Sequence, residues 1–184
     1  TWVYDSLGRA VEETNQLGYT RTFVYDAAGY LVRQVDRLGR VRQFQFDNLG
    51  RNTAEIWYNN VTDADADQNR QRTIGFTYDL AGQQTGVDDV EADYQHTYDN
   101  LGRITKTVQT VVGLTPTLTF RRVYDSAGRQ TRLIEDLNGT KDFKNRYFYD
   151  SLGRVTSITQ AAQSGGNPVA RKLVNFSYDA AGQL

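Results

Sequence analysis

Three aspartates alternate in Asp63-Ala64-Asp65-Ala66-Asp67, the arrangement with which a loop offers carboxylate oxygens to a hard cation such as calcium. That loop type also needs a glycine straight after the third carboxylate and a glutamate at its end, and Gln68 and Ile74 stand there instead. The segment is expected to be a solvated acidic loop, with Asp63, Asp65 and Asp67 no more than a weak candidate calcium site. His96, the only histidine, lies in Tyr94-Gln95-His96-Thr97-Tyr98, a strand entering a turn. Nothing in the sequence points to the nucleophile or metal partner that a catalytic histidine needs, so it is read as structural or surface. The absence of cysteine excludes disulfides, thiolate zinc sites and a cysteine nucleophile. Paired carboxylates for hydrolysis would have to come from the many aspartates, most of which have a turn role described below. No catalytic residue and no cofactor is expected, and the chain is expected not to be an enzyme.

Twelve Tyr, eight Phe and sixteen Gly against two Pro favour short strands joined by tight turns. A formal net charge of -1 offers no general attraction for nucleic acid or an acidic membrane surface. No apolar run approaches the roughly 20 residues that span a bilayer, so membrane insertion is not expected.

The positions of the aspartates follow a repeat. Tyr-Asp-x-x-Gly occurs at Tyr4-Asp5 with Gly8, Tyr25-Asp26 with Gly29, Tyr78-Asp79 with Gly82, Tyr98-Asp99 with Gly102, Tyr124-Asp125 with Gly128, Tyr149-Asp150 with Gly153 and Tyr178-Asp179 with Gly182. Phe46-Asp47 with Gly50 is an eighth copy with Phe in the aromatic place. The base period is about 21 residues. A weaker half-copy lies between these turns, at Asn15 with Gly18, Asp36 with Gly39 and Asp136 with Gly139. Each period is therefore two strands and two turns. Asx at the first position of a type I turn accepts from backbone N–H two residues on, and Gly at the fourth takes the left-handed conformation that closes a hairpin. The carboxylates are read as turn staples.

Between the turns, residues alternate as in strands: Ile74, Phe76 and Tyr78 against Thr73, Gly75 and Thr77, and Val174, Phe176 and Tyr178 against Leu173, Asn175 and Ser177. One face is expected to be aromatic and apolar. The repeated tyrosines are either inward packing or a stacking platform for sugar rings. The arginines after the turns (Arg9, Arg40, Arg51, Arg103, Arg129 and Arg154) are placed for an ion pair with the turn Asp or a cation–π contact, with anion or glycan binding as the alternative. Departures from the period all fall on the second turn, at 59–70, 111–117 and 161–168. One edge should thus be even and tight while the other carries every long loop. The expected fold is all-β: antiparallel β-hairpin repeats in a continuous curled meander of some 14 to 16 strands, forming one array over 1–184, because an open sheet beyond about 10 strands curls or closes. The absence of Met and the stop at Leu184, where a return strand should begin, suggest a fragment of a longer chain whose cut strand edges pair with neighbouring repeats or with other copies.

Tyr98-Asp99-Asn100-Leu101-Gly102-Arg103, Tyr124-Asp125-Ser126-Ala127-Gly128-Arg129 and Tyr149-Asp150-Ser151-Leu152-Gly153-Arg154 resemble the Rhs or YD repeat, and the resemblance covers almost the whole chain. It implies a segment of a spiralling β-shell, as in bacterial polymorphic toxins, toxin-complex C components and teneurins. The implied role is a structural scaffold of a secreted or surface bacterial protein that encloses or presents another domain, such as a toxin. The alternative is an extracellular module that binds glycan or a cell-surface protein. Toxin members end their repeats with an Asp-Pro-x-Gly segment for self-cleavage, and neither Pro116 nor Pro168 fits it.

Overall fold

The computed structural model describes residues 1–114 and 116–183; Thr115, within the 111–117 connection, and Leu184 lie outside the described residues. The strands are β1 (Trp2–Tyr4), β2 (Ala10–Thr14), β3 (Thr20–Tyr25), β4 (Leu31–Val35), β5 (Val41–Phe46) and β6 (Asn52–Tyr58), followed by helix α1 (Val61–Ala66). Then come β7 (Arg72–Tyr78), β8 (Gln84–Asp89), β9 (Ala92–Tyr98), β10 (Ile104–Val111), β11 (Leu118–Tyr124), β12 (Gln130–Leu137), β13 (Thr140–Tyr149), β14 (Val155–Ala162) and β15 (Lys172–Asn175). The fold is all-β, with the fifteen strands in chain order, each beside its sequence neighbour, and β1 and β15 at the ends of the order. Two compact units are distinguished, Thr1–Asp79 with Gly86–Val90, and Leu80–Thr85 with Glu91–Leu184.

In the first unit the Tyr-Asp turns between β1 and β2, β3 and β4, and β5 and β6 share one edge, because an antiparallel meander alternates its turns. The other edge carries the Asn15 and Asp36 turns and the longer connection after β6. In the second unit the Tyr-Asp turns at Asp99, Asp125 and Asp150 again share an edge, and the connections after β10 and β14 are the long ones.

Two expectations are corrected. The acidic segment is a short helix, not a loop. Asn60 caps it, its side-chain oxygen accepting from the Asp63 N–H at 2.8 Å, and Asp67 ends it in the left-handed conformation at φ 49°. Asp136 is not a turn staple either. The strands run up to Leu137 and Thr140, which face each other, so the reversal needs only Asn138 and Gly139, at φ 50° and 75°. Asn-Gly is the favoured pair for a two-residue type I′ hairpin, and it leaves Asp136 inside β12. There Asp136 is buried and pairs with Arg121 and Gln163.

The burial pattern also departs from a simple aromatic inner face. Val41 lies opposite Tyr58, and Gln43 opposite Ile56, so these four share one face of the first unit. Helix α1 covers that face, and Val41, Ile56, Tyr58 and Ala64 form its buried core with Val35 against them. Phe44 and Trp57 occupy the other face, and Phe46 follows Phe44 on it. The Tyr-Asp aromatics from Tyr25 onward are half-buried, while Tyr4 is exposed.

Candidate functional site

What recurs through both units is a turn with a fixed set of bonds. In the Asp125 copy, Oδ1 accepts from the N–H of Ala127 at 3.0 Å and of Arg129 at 2.9 Å, and Oδ2 accepts from Arg129 Nε at 2.7 Å. The backbone closes the same loop twice, with Gly128 N–H donating to the Asp125 carbonyl and Asp125 N–H donating to the Arg129 carbonyl. Gly128 has φ 82°, a conformation that suits glycine and gives the one-residue bulge seen as a register shift beside Tyr124. Asp5, Asp47, Asp99 and Asp150 repeat the pattern, as does Asp36 on the opposite edge. Asp26 and Asp179 keep the bond from the fifth residue, Tyr30 and Gln183.

In Asp5, Asp36, Asp47, Asp99, Asp125 and Asp150 these bonds hold the carboxyl below its usual range. The largest contribution comes from the backbone N–H of the following Arg for Asp5, Asp47 and Asp125, and from its guanidinium for Asp99 and Asp150. For Asp36 burial pushes upward, but the bonds from Arg40 outweigh it.

The second layer of the site joins successive turns. Arg103, fixed by Asp99, lies over the ring of Tyr124 in the next copy, 4.5 Å from its centroid. The Tyr124 hydroxyl donates to the carbonyl of Ile104, the residue after that arginine, at 2.8 Å. The same pair of contacts links Arg9 to Tyr25, Arg51 to Tyr78, Arg129 to Tyr149 and Arg154 to Tyr178. The tyrosine hydroxyls there reach Ala10, Asn52, Gln130 and Val155. The sequence places the arginine near its own Asp and an aromatic; the aromatic proves to be that of the following copy.

One copy exchanges both partners. Tyr30 stands in the arginine place and Phe46 in the tyrosine place, and their rings stack at 4.9 Å. The Tyr30 hydroxyl occupies the space where a side chain on Gly50 would begin, 2.0 Å from a Cβ built there. Elsewhere Gln83 takes the arginine place, and Tyr98 keeps its bond to the Gln84 carbonyl at 2.6 Å.

The residues singled out for chemistry do not converge. Asp63 is held by Asn60 and Asn69, Asp65 by Arg33, and Asp67 by Arg70 and Tyr58. Arg70, then Tyr58, lower the Asp67 carboxyl to about 2. Among the described residues no group of three or more His, Asp or Glu could hold a metal ion. His96 Nδ1 lies 3.3 Å from Thr107 Oγ1, opposite it on β10, and burial, then the charge of Arg122, push its pKa down. A cleft of about 280 Å³ in the first unit is lined by Gln34, Asp36, Arg42 and Trp57 among others. The guanidinium groups of Arg42 and Arg72 flank the Trp57 ring.

A sheet of antiparallel hairpins, clamped by Asx turns and in most copies locked to the next by an arginine and a tyrosine, defines a β-hairpin repeat protein. The RHS Repeat family model matches residues 4–37, the stretch that holds the first two Tyr-Asp turns and the Asn15 half-copy turn between them. No curated protein matches the chain. Among solved structures it is similar to the TcdB2-TccC3-Cdc42 crystal structure, with TM-score 0.68, 20% identity and coverage of 85% of this chain and 9% of that one. It is also similar to TcdB2-TccC3-TEV, with TM-score 0.60, 16% identity and coverage of 95% and 12%. The Photorhabdus luminescens Tc holotoxin pore matches with TM-score 0.55, 17% identity and coverage of 85% and 9%. The chain thus spans about a tenth of the length of these structures, which share its fold.

Proposed function

We propose that this chain is a wall segment: a non-catalytic scaffold of a secreted or surface Rhs-type protein that encloses or presents another domain, such as a toxin. The observation that carries this reading is the lock between successive turns. It spends the strongest side-chain donors of the repeat on holding hairpins to hairpins, and so builds extent and stiffness. The fold likeness to chains of toxin complexes supports a wall role in general. Expressed with its flanking coding sequence, the array should protect the neighbouring domain from limited proteolysis, and Arg103→Ala with Tyr124→Phe should shorten that protection. A neighbouring domain digested equally fast with and without the array would overturn the reading. The competing reading, a module that binds glycan or a cell-surface protein, would use the Trp57 cleft. Saturable glycan binding lost in Trp57→Ala would favour it.

A further inference from the structure

Arginines in this chain mostly stand on carboxylates, as Arg42 does on Glu55 and Arg72 on Asp89. The pair Arg132 and Arg146 departs from that pattern. They lie directly opposite each other on β12 and β13, so both side chains leave the same face of the sheet. Along the same cross-strand row their neighbours are Val123 on β11 and Thr159 on β14, neither of them acidic. The next row adds Lys144, opposite Ile134. The nearest carboxylate on that face of β12, Asp136, is taken by Arg121 and Gln163, and Glu135 alternates onto the other face. Among the described residues neither Arg132 nor Arg146 has a carboxylate within ion-pair distance, and both are exposed. Arg122, another arginine of this unit without a carboxylate, is instead bonded to Thr107 at 2.9 Å.

Like charges directly opposite on a sheet repel and weaken it, so the pair is a local cost to folding that an anion would remove. The two side chains border a cleft of about 390 Å³ lined by Thr131, Arg132, Arg146, Tyr147 and Phe148. Phe148 is 47% exposed. We propose that Arg132 and Arg146 form a binding site for a phosphate-type oxyanion, free or carried as a monoester on a small molecule. A carboxylate has two oxygens and saturates one guanidinium fork. Two forks rooted on adjacent strands, roughly 5 Å apart at the backbone, suit a tetrahedral dianion whose oxygens divide between them. The Thr131 hydroxyl is spent on the Val123 carbonyl at 3.1 Å, so the two guanidinium groups are the donors, and Phe148 can pack against the body of an ester. This site is independent of the wall reading.

The test is a calorimetric titration of the folded chain with inorganic phosphate, a hexose phosphate and the parent hexose, at ionic strength held constant with chloride. Saturable binding of phosphate is expected, with at least a tenfold loss in Arg132→Gln and in Arg146→Gln and less than a twofold change in Arg121→Gln. Tighter binding of the hexose phosphate than of free phosphate would identify an ester as the ligand, equal binding the free ion; both support the site. Melting temperatures in chloride separate binding from folding, because removing one of two repelling charges should leave them unchanged or raised. No saturable phosphate binding, an equal loss in Arg121→Gln, or a lower chloride melting temperature in Arg132→Gln and Arg146→Gln would overturn the proposal.

Discussion

Along one edge of each unit the chain reverses through the same five residues, from Asp to Arg, with the same hydrogen bonds at Asp5, Asp47, Asp99, Asp125 and Asp150. Along the other edge it reverses through Asn15 to Gly18, through a capped helix after β6, or through just Asn138 and Gly139. The difference comes from what each turn must do beyond reversing the chain. A Tyr-Asp turn also aims its arginine at the aromatic that ends the adjacent strand, and an added residue would swing that arginine off its target. The opposite turns have no such target, so their length is free. Asp36 and Arg40 show the limit of the distinction: the staple is complete, yet no ring lies beneath that guanidinium, whose side chain is 61% exposed.

The sharpest way to break this comparison is to lengthen one turn of each kind. Two glycines inserted after Ser126 should lower stability by about 2–3 kcal/mol, because the staple, the ion pair and the ring contact are lost together. The same insertion after Val112 should cost less than about 1 kcal/mol, the price of a longer loop alone. Urea midpoints decide it, and equal losses would show that the two edges are equivalent.

Single side chains come next. Arg103→Ala should cost about 1–2 kcal/mol, since it removes a half-buried ion pair and a cation–π contact, and Arg40→Ala at most about 0.5 kcal/mol. The exchanged copy offers a stricter check. Tyr30→Arg should destabilise while Phe46 is its partner, and adding Phe46→Tyr should recover most of the loss. A double-mutant cycle with no coupling between positions 30 and 46 would show that the lock is not a unit.

Glycine substitutions sharpen the comparison from the other side, because here the edges should agree. Gly128 and Gly39 have φ 82° and 78°, so Ala at either should cost about 1 kcal/mol. A loss confined to Gly128 would mean that crowding, not backbone strain, sets the penalty.

The smallest effect is the response to acid. Carboxyls held below their unfolded values, near 3.9 for Asp, stabilise fully above about pH 4 and lose that contribution as pH falls through the lowered values. Asp67, at about 2, should retain its bonds to Arg70 and Tyr58 down to about pH 2. Stability should dip slightly from pH 7 to about 5, where the unfolded chain takes up a proton that His96 resists when folded, and decline further below pH 4, with Asp67→Asn removing part of the second slope. A first decline that persists in His96→Gln would point to a different group.

How much of this was legible in the residues depends on range. Asx first and Gly fourth act over five residues, so the Tyr-Asp turns, the strands between them and the two unlike edges could all be read from spacing. The same local reading misjudged Asp136, because Asn138 and Gly139 form a tighter turn than the Asp staple would. It also missed α1, where Asn60 and Asp67 cap a segment whose alternating aspartates resembled a cation loop. Which arginine meets which aromatic depends on the register of two intervening strands, and register follows from bulges and turn types rather than from distance along the chain. The core beneath α1 and the meeting of Arg132 with Arg146 were decided in the same way, by which residues the tertiary pairing sets face to face.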